Sequence, residues 1–153
     1  MRSACWMRVL SRAALLALLL TGNPSCAWCQ TAPVPDVTGL YRRIGPASVT
    51  LAVSTRDGIV QARLDGGGLP ATDGSVPADC TVQGAGRIQN NMLNVMFQPV
   101  ATDTFSYSAT QAKTEKRRLI IAFTAESADV QEADTDGYCG LGIEFRGTYL
   151  RSH

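Results

Sequence analysis

Serine or cysteine nucleophiles need a base within hydrogen-bond reach, and this chain has a single histidine, His153, at its last position. A Ser-His-Asp or Cys-His arrangement would rest on a chain end, so neither is expected. The same shortage argues against zinc, because no second pair of nitrogen or sulfur ligands remains once two cysteines are joined. Acid and base work by paired carboxylates could draw on Asp65, Asp79, Asp134 and Asp136, but no spacing brings two of them together. Glu132-Ala133-Asp134-Thr135-Asp136-Gly137 alternates carboxylates before a glycine as a calcium loop does. Ile143 then stands where the bidentate acid belongs, with Glu144 one residue late, so an acidic solvated loop is expected there. No glycine loop that could cradle phosphate precedes a helix. The expectation is no catalytic residue, no metal and no cofactor.

Side chains for contacting a partner are easier to find. Arg42, Tyr107, Lys113, Arg117, Asp134, Asp136 and Tyr149 are the candidates, drawn from the terminal strands, the basic run and the acidic segment. The basic run, Lys113, Lys116, Arg117 and Arg118 around Glu115, reads as a solvated turn between strands. Aromatic and arginine residues on the terminal strands can also pack and snorkel at a barrel end.

Arg2, Arg8 and Arg12 precede an apolar run, Ala13 to Leu20, that Asn23-Pro24 ends early. The run falls short of the roughly 20 residues that span a bilayer, so it reads as a cleavable secretory signal with the cut after Ala27. Lipidation at Cys26 is the minor alternative, because Asn23, Pro24 and Ser25 stand where a lipoprotein signal wants an aliphatic residue and a small one. Removing residues 1–27 takes away three arginines and no acids, moving the net charge from +1 to −2. Without a net basic face, binding to nucleic acid is not expected. About 126 residues remain, enough for one domain. The expected organisation is a signal over 1–27, a flexible N-terminal segment over 28–37 with Pro33-Val34-Pro35, and a barrel domain over 38–153. The location is periplasmic or secreted.

Of five cysteines, Cys29, Cys80 and Cys139 survive that cut into an oxidising compartment. Cys80 and Cys139 are expected to form the disulfide, leaving Cys29 over in the terminal segment. A monomer follows, with a dimer through Cys29 as the other reading.

The elements that must position these residues are strands. With Asp57-Gly58 as a two-residue turn, Leu51 opposes Leu64, Val53 opposes Ala62 and Thr55 opposes Val60, while Thr50, Ser54, Gln61, Arg63 and Asp65 share the other face. With Asn90-Asn91 as the turn, Ile88 meets Leu93, Gly86 meets Val95 and Gly84 meets Phe97, with Gly84 leaving room for that ring. Cys139, Leu141, Ile143, Phe145, Gly147 and Tyr149 alternate as a last strand, which sets Cys80 and Cys139 both on core faces. Further strands are expected near 38–43, 104–110 and 117–125. Gly39-Leu40-Tyr41-Arg42 echoes Gly147-Thr148-Tyr149-Leu150, so first and last strands side by side would close the sheet. Gly66 to Asp79 and Glu126 to Gly137 read as irregular loops. The fold class is all-β, a single antiparallel barrel of about eight strands with one disulfide.

The leader, the early Gly-x-Tyr strand and the ending Tyr138-Cys139-Gly140-Leu141-Gly142-x-x-Phe145-x-Gly147-x-Tyr149 resemble small periplasmic β-barrel proteins of Gram-negative bacteria. Among these, lysozyme inhibitors of the membrane-bound or periplasmic C-type class are similar in size, export and cysteine use. The resemblance covers architecture; the first functional reading, a non-catalytic module that binds a periplasmic or extracellular protein as inhibitor of a cell-wall hydrolase or as immunity protein against one, rests on a rigid frame with presented loops and no nucleophile. That family carries a Ser-Gly-x-x-Tyr segment; here Ser106-Tyr107-Ser108-Ala109 lacks the glycine and the spacing, so no inhibitory residue is carried over. A small-ligand carrier and a structural envelope protein are the alternatives, although the inner faces hold enough Leu, Ile, Val and Phe to fill an eight-strand barrel.

Overall fold

A computed structural model of the chain describes residues 36–45, 48–67, 79–139 and 143–152. The signal, Cys26, Cys29, His153 and most of the Gly66–Asp79 loop lie outside the described residues. The elements are β1 (Gly39–Arg43), β2 (Val49–Arg56), β3 (Ile59–Gly66), β4 (Cys80–Gly86), β5 (Met92–Met96), β6 (Val100–Ala101), β7 (Ser106–Tyr107), α1 (Ala109–Glu115), β8 (Arg118–Phe123), β9 (Ser127–Ala133) and β10 (Gly147–Arg151). Eight strands form one antiparallel sheet in the order β4-β3-β2-β1-β10-β9-β8-β5, and β6 with β7 makes a small second ladder. The sheet curls into a nearly closed barrel, and a disulfide joins Cys80 to Cys139.

The first hairpin follows from its turn. Asp57 and Gly58 take φ of 52° and 72°, the two-residue geometry whose twist suits paired strands. Leu51 then faces Leu64, Val53 faces Ala62 and Thr55 faces Val60, as the alternation requires. Asn90 and Asn91 turn the same way, at φ of 51° and 60°, and Gln89 and Met92 exchange both backbone hydrogen bonds across them. The register of this second hairpin is also as expected, but its strands meet only at Gly84↔Phe97 and Gln89↔Met92.

That hairpin is where the barrel closes. β1 and β10 do lie side by side, with Tyr41 against Arg151 and Arg43 against Tyr149, yet they sit in the middle of the sheet, and the seam falls between β4 and β5. The side chain that uses the missing Cβ atoms is Val95, not Phe97. Its γ-carbons lie 2.6 Å from where a Cβ on Gly84 would stand and 2.5 Å from one on Gly86. Two glycines on one strand thus form a notch that lets the opposite edge approach.

β1 and β10 share a local design. Tyr41 donates its hydroxyl to the Val37 carbonyl at 2.8 Å, and Tyr149 donates to the Phe145 carbonyl at 2.6 Å, each four residues back. Arg151 lies over the Tyr41 ring and donates to the Asp36 and Thr38 carbonyls, while Arg43 donates to the Glu144 carbonyl. These bonds tie Asp36 and the buried Val37, the last two residues of the expected N-terminal segment, to the barrel.

Three expected elements differ. Strand 104–110 shrinks to Ser106–Tyr107, because Ser108 and Gln111 form a reciprocal capping box that starts α1. The acidic segment after Glu126 is largely β9, paired with β8 and β10. Gln131 is an extra residue opposite Ile120 and Ile121, so Ala128, Val130 and Ala133 all face inward at uneven spacing. The last strand starts at Gly147; Cys139 belongs to a turn, and its bond to Cys80 comes from that turn rather than from a strand face.

Inside, Tyr41, Leu51, Leu64, Leu93, Leu119, Ile121, Phe145 and Tyr149 are fully buried. Large side chains from six strands and from the approach to β10 converge there and fill the barrel.

Candidate functional site

The seven candidate partner residues fall into three groups. Tyr107 and Tyr149 are 2% and 0% exposed, so their rings belong to the core and offer nothing to a partner. Arg42 is exposed on the outer face of β1, opposite Leu150. Lys113 is exposed on α1, apart from the others, while Arg117, Asp134 and Asp136 come together near the start of β8 and the end of β9, not as a solvated basic turn.

Arg117 is half-buried and fully engaged. It donates to the Asp134 carbonyl at 3.0 Å and the Asp136 carbonyl at 2.7 Å, pairs with Glu115 at 2.5 Å, approaches the Asp134 carboxylate at 3.5 Å and lies over the Tyr138 ring. Burial opposes its charge, but the hydrogen bond and charge of Glu115, with Asp134, outweigh it and raise the guanidinium's pKa. The end of the segment expected as an acidic solvated loop therefore closes around an arginine. Among the described residues no group of three or more His, Cys, Asp or Glu is placed to hold a metal.

From Arg117 a line of contacts leads to the outer surface. Tyr138 is ringed by Phe97, Phe105 and Tyr107 at centroid distances of 5.2, 4.9 and 4.8 Å, and its hydroxyl donates to the Thr81 carbonyl at 2.8 Å. The Cys80–Cys139 bond staples the same two segments one residue away. Thr81, itself buried, donates its hydroxyl to Asp65 at 2.7 Å, and Asp65 in turn accepts from Arg63 Nε at 2.8 and 3.1 Å.

Arg63 and Asp65 line a cleft of ≈ 490 Å³ on the outer face of β2, β3 and β4, with Ser48, Thr50, Asp79, Thr81, Thr102 and Thr104. Both members of the pair remain 41% exposed. An ion pair so open contributes at most about 1 kcal/mol to stability, so its main effect is to orient the guanidinium. The hydrogen bond to Asp65 also raises the Arg63 pKa further, keeping the side chain charged. Asp65 and Asp79, which no spacing joined, share this cleft. The Asp65 carboxylate is occupied as an acceptor, which suits recognition better than proton transfer.

Alternation alone sets Thr50, Arg63 and Asp65 on one outward face. The further signal was Thr81, a hydroxyl directly after a disulfide cysteine and opposite Asp65 once β3 pairs with β4. Thr102 and Thr104 arrive through the β6–β7 connection, which no local pattern announces. No protein-family model matches the chain, and neither does any curated protein or solved structure. What the structure defines is an all-β, disulfide-closed antiparallel barrel with a polar cleft on one outer face.

Proposed function

We propose that the protein is an exported, non-catalytic binding module that docks a periplasmic or extracellular protein through this cleft, acting as inhibitor of, or immunity protein against, a cell-wall hydrolase. The observation that supports it most is the supported Arg63: Tyr138, Thr81 and Asp65 hold the guanidinium in place on a stapled frame. A side chain fixed before the partner arrives loses little entropy on binding. The leader over residues 1–27 and the disulfide agree with export to an oxidising compartment. The filled interior weighs against a carrier that holds its ligand inside the barrel.

The test uses the mature chain on a column, a periplasmic extract, and the activity of each retained hydrolase with and without the protein. A C-type lysozyme serves as a first target. A hydrolase that is retained and inhibited, and whose binding weakens at least about tenfold with Arg63→Ala, supports the reading. Retention of no hydrolase, or binding indifferent to Arg63→Ala, refutes it.

A further inference from the structure

A second recess lies at one end of the barrel, where the Asp57-Gly58 turn meets the chain entering β1 and the segment leaving β4. It holds ≈ 380 Å³, lined by Asp36, Val37, Thr55, Val60, Arg87 and Ile88, with Gly58 at the turn. That volume is at the small end of the range of about 300–1,000 Å³ typical of small-molecule sites, too little for a glycan strand or a folded partner. Val37 and Val60 are buried core residues whose side chains reach this end, and Ile88 packs against the same core, so the recess has an apolar floor.

Its rim carries one charge of each sign. Asp36 accepts the Thr38 N–H at 2.9 Å, and that hydrogen bond holds its carboxyl below the ordinary range, so it is anionic at neutral pH. Arg87 makes no hydrogen bond or ion pair with any other described residue, and its Nη1 reaches over the Gly58 turn, 3.1 Å from where a Cβ there would stand. A substituent at Gly58 would meet this guanidinium, so the glycine leaves it room beside the recess.

We propose that this recess binds a small zwitterion with an aliphatic side chain, of the class of the apolar α-amino acids, with its carboxylate on Arg87, its ammonium on Asp36 and its side chain on Val37, Val60 and Ile88. A simple fatty anion would meet Asp36 unfavourably, and a simple amine would meet Arg87; a molecule with both charges next to an apolar group satisfies the rim and the floor together. The site is separate from the outer cleft and stands or falls without it.

L-leucine titrated onto the mature chain, followed by backbone amide shifts, tests this. Saturable shifts at Val37, Val60 and Ile88 with Kd of about 1 mM or tighter are expected. Leucinamide, which lacks the carboxylate, and 4-methylpentanoate, which lacks the ammonium, should each bind about tenfold more weakly to the unaltered protein. Arg87→Gln, at an exposed position, should weaken leucine about tenfold and leave leucinamide unchanged. Absence of shifts at the barrel end, equal binding of the three compounds, or leucine binding indifferent to Arg87→Gln overturns the proposal.

Discussion

Gly86→Ala drives a methyl group into the place where the barrel closes. Neither Gly84 nor Gly86 has a positive φ, so the cost is steric rather than conformational. The new Cβ would stand 2.5 Å from Val95 Cγ1, where carbon contacts settle at about 3.5–4.0 Å, so the two edges must part by about 1 Å or Val95 must leave its place. If the edges part, the hydrogen bonds that hold the seam are lost. These are the two between Gln89 and Met92, each 2.9 Å, and Gln98 N–H to the Gln83 carbonyl at 2.7 Å. At about 1 kcal/mol each, that bounds the loss near 3 kcal/mol, and accommodation by Val95 alone would cost about 1 kcal/mol. The expected destabilisation is therefore about 1–3 kcal/mol, read from urea unfolding of the oxidised mature chain at constant m-value. Val95→Ala removes the γ-carbons that the new methyl strikes. In the double variant the loss should be smaller than the sum of the single losses by at least about 1 kcal/mol. Strict additivity, or a Gly86→Ala protein within about 0.5 kcal/mol of the parent, would refute the notch as the device that closes the sheet.

Replacing Cys80 and Cys139 by serine should cost about 4 kcal/mol, from the loop-closure entropy of a 59-residue separation, and a midpoint change below about 1 kcal/mol would remove the staple from the account. Arg117→Lys keeps the charge but loses the two-carbonyl fork and the contact with the Tyr138 ring; a loss of about 2 kcal/mol and a changed near-ultraviolet tyrosine signal are expected, and an unchanged midpoint would show the clamp to be idle. Burial raises the ionisation of Tyr138 and Tyr149 above the ordinary value of 10.0, so the folded chain keeps protons that the unfolded chain releases. Their contribution is complete below about pH 10 and is lost as pH rises through the native values. The urea midpoint should hold from neutral pH to about 9.5 and fall above it, less steeply in Tyr138→Phe; an equally steep fall in that variant counts against the assignment.

Much of the barrel was legible because its signals are short-range. The Asp57-Gly58 turn sets the pairing of β2 with β3 by itself, and a slip of one residue would have turned Leu51 and Val53 outward. The β9 strand was hidden by its bulge, since an extra Gln131 breaks the period of two that marks a half-buried strand. The helix had a readable start in Ser108 and Gln111, but seven residues with none buried leave no apolar stripe to find. Arg117 looked solvated because its partners are carbonyls of Asp134 and Asp136, which composition cannot show.

The sequence by itself determined what turns and alternation decide within a few residues: antiparallel strands, the registers of two hairpins, the inward faces, and which cysteines to join. Only the tertiary structure decided where the sheet closes, because that depends on Val95 meeting a notch in a strand across the seam. The cleft, too, exists only after β3 pairs with β4 and Tyr138 reaches the Thr81 carbonyl 57 residues away. Contacts between segments so distant along the chain cost loop entropy and leave no periodic trace, so they come into view only once the chain has folded around them.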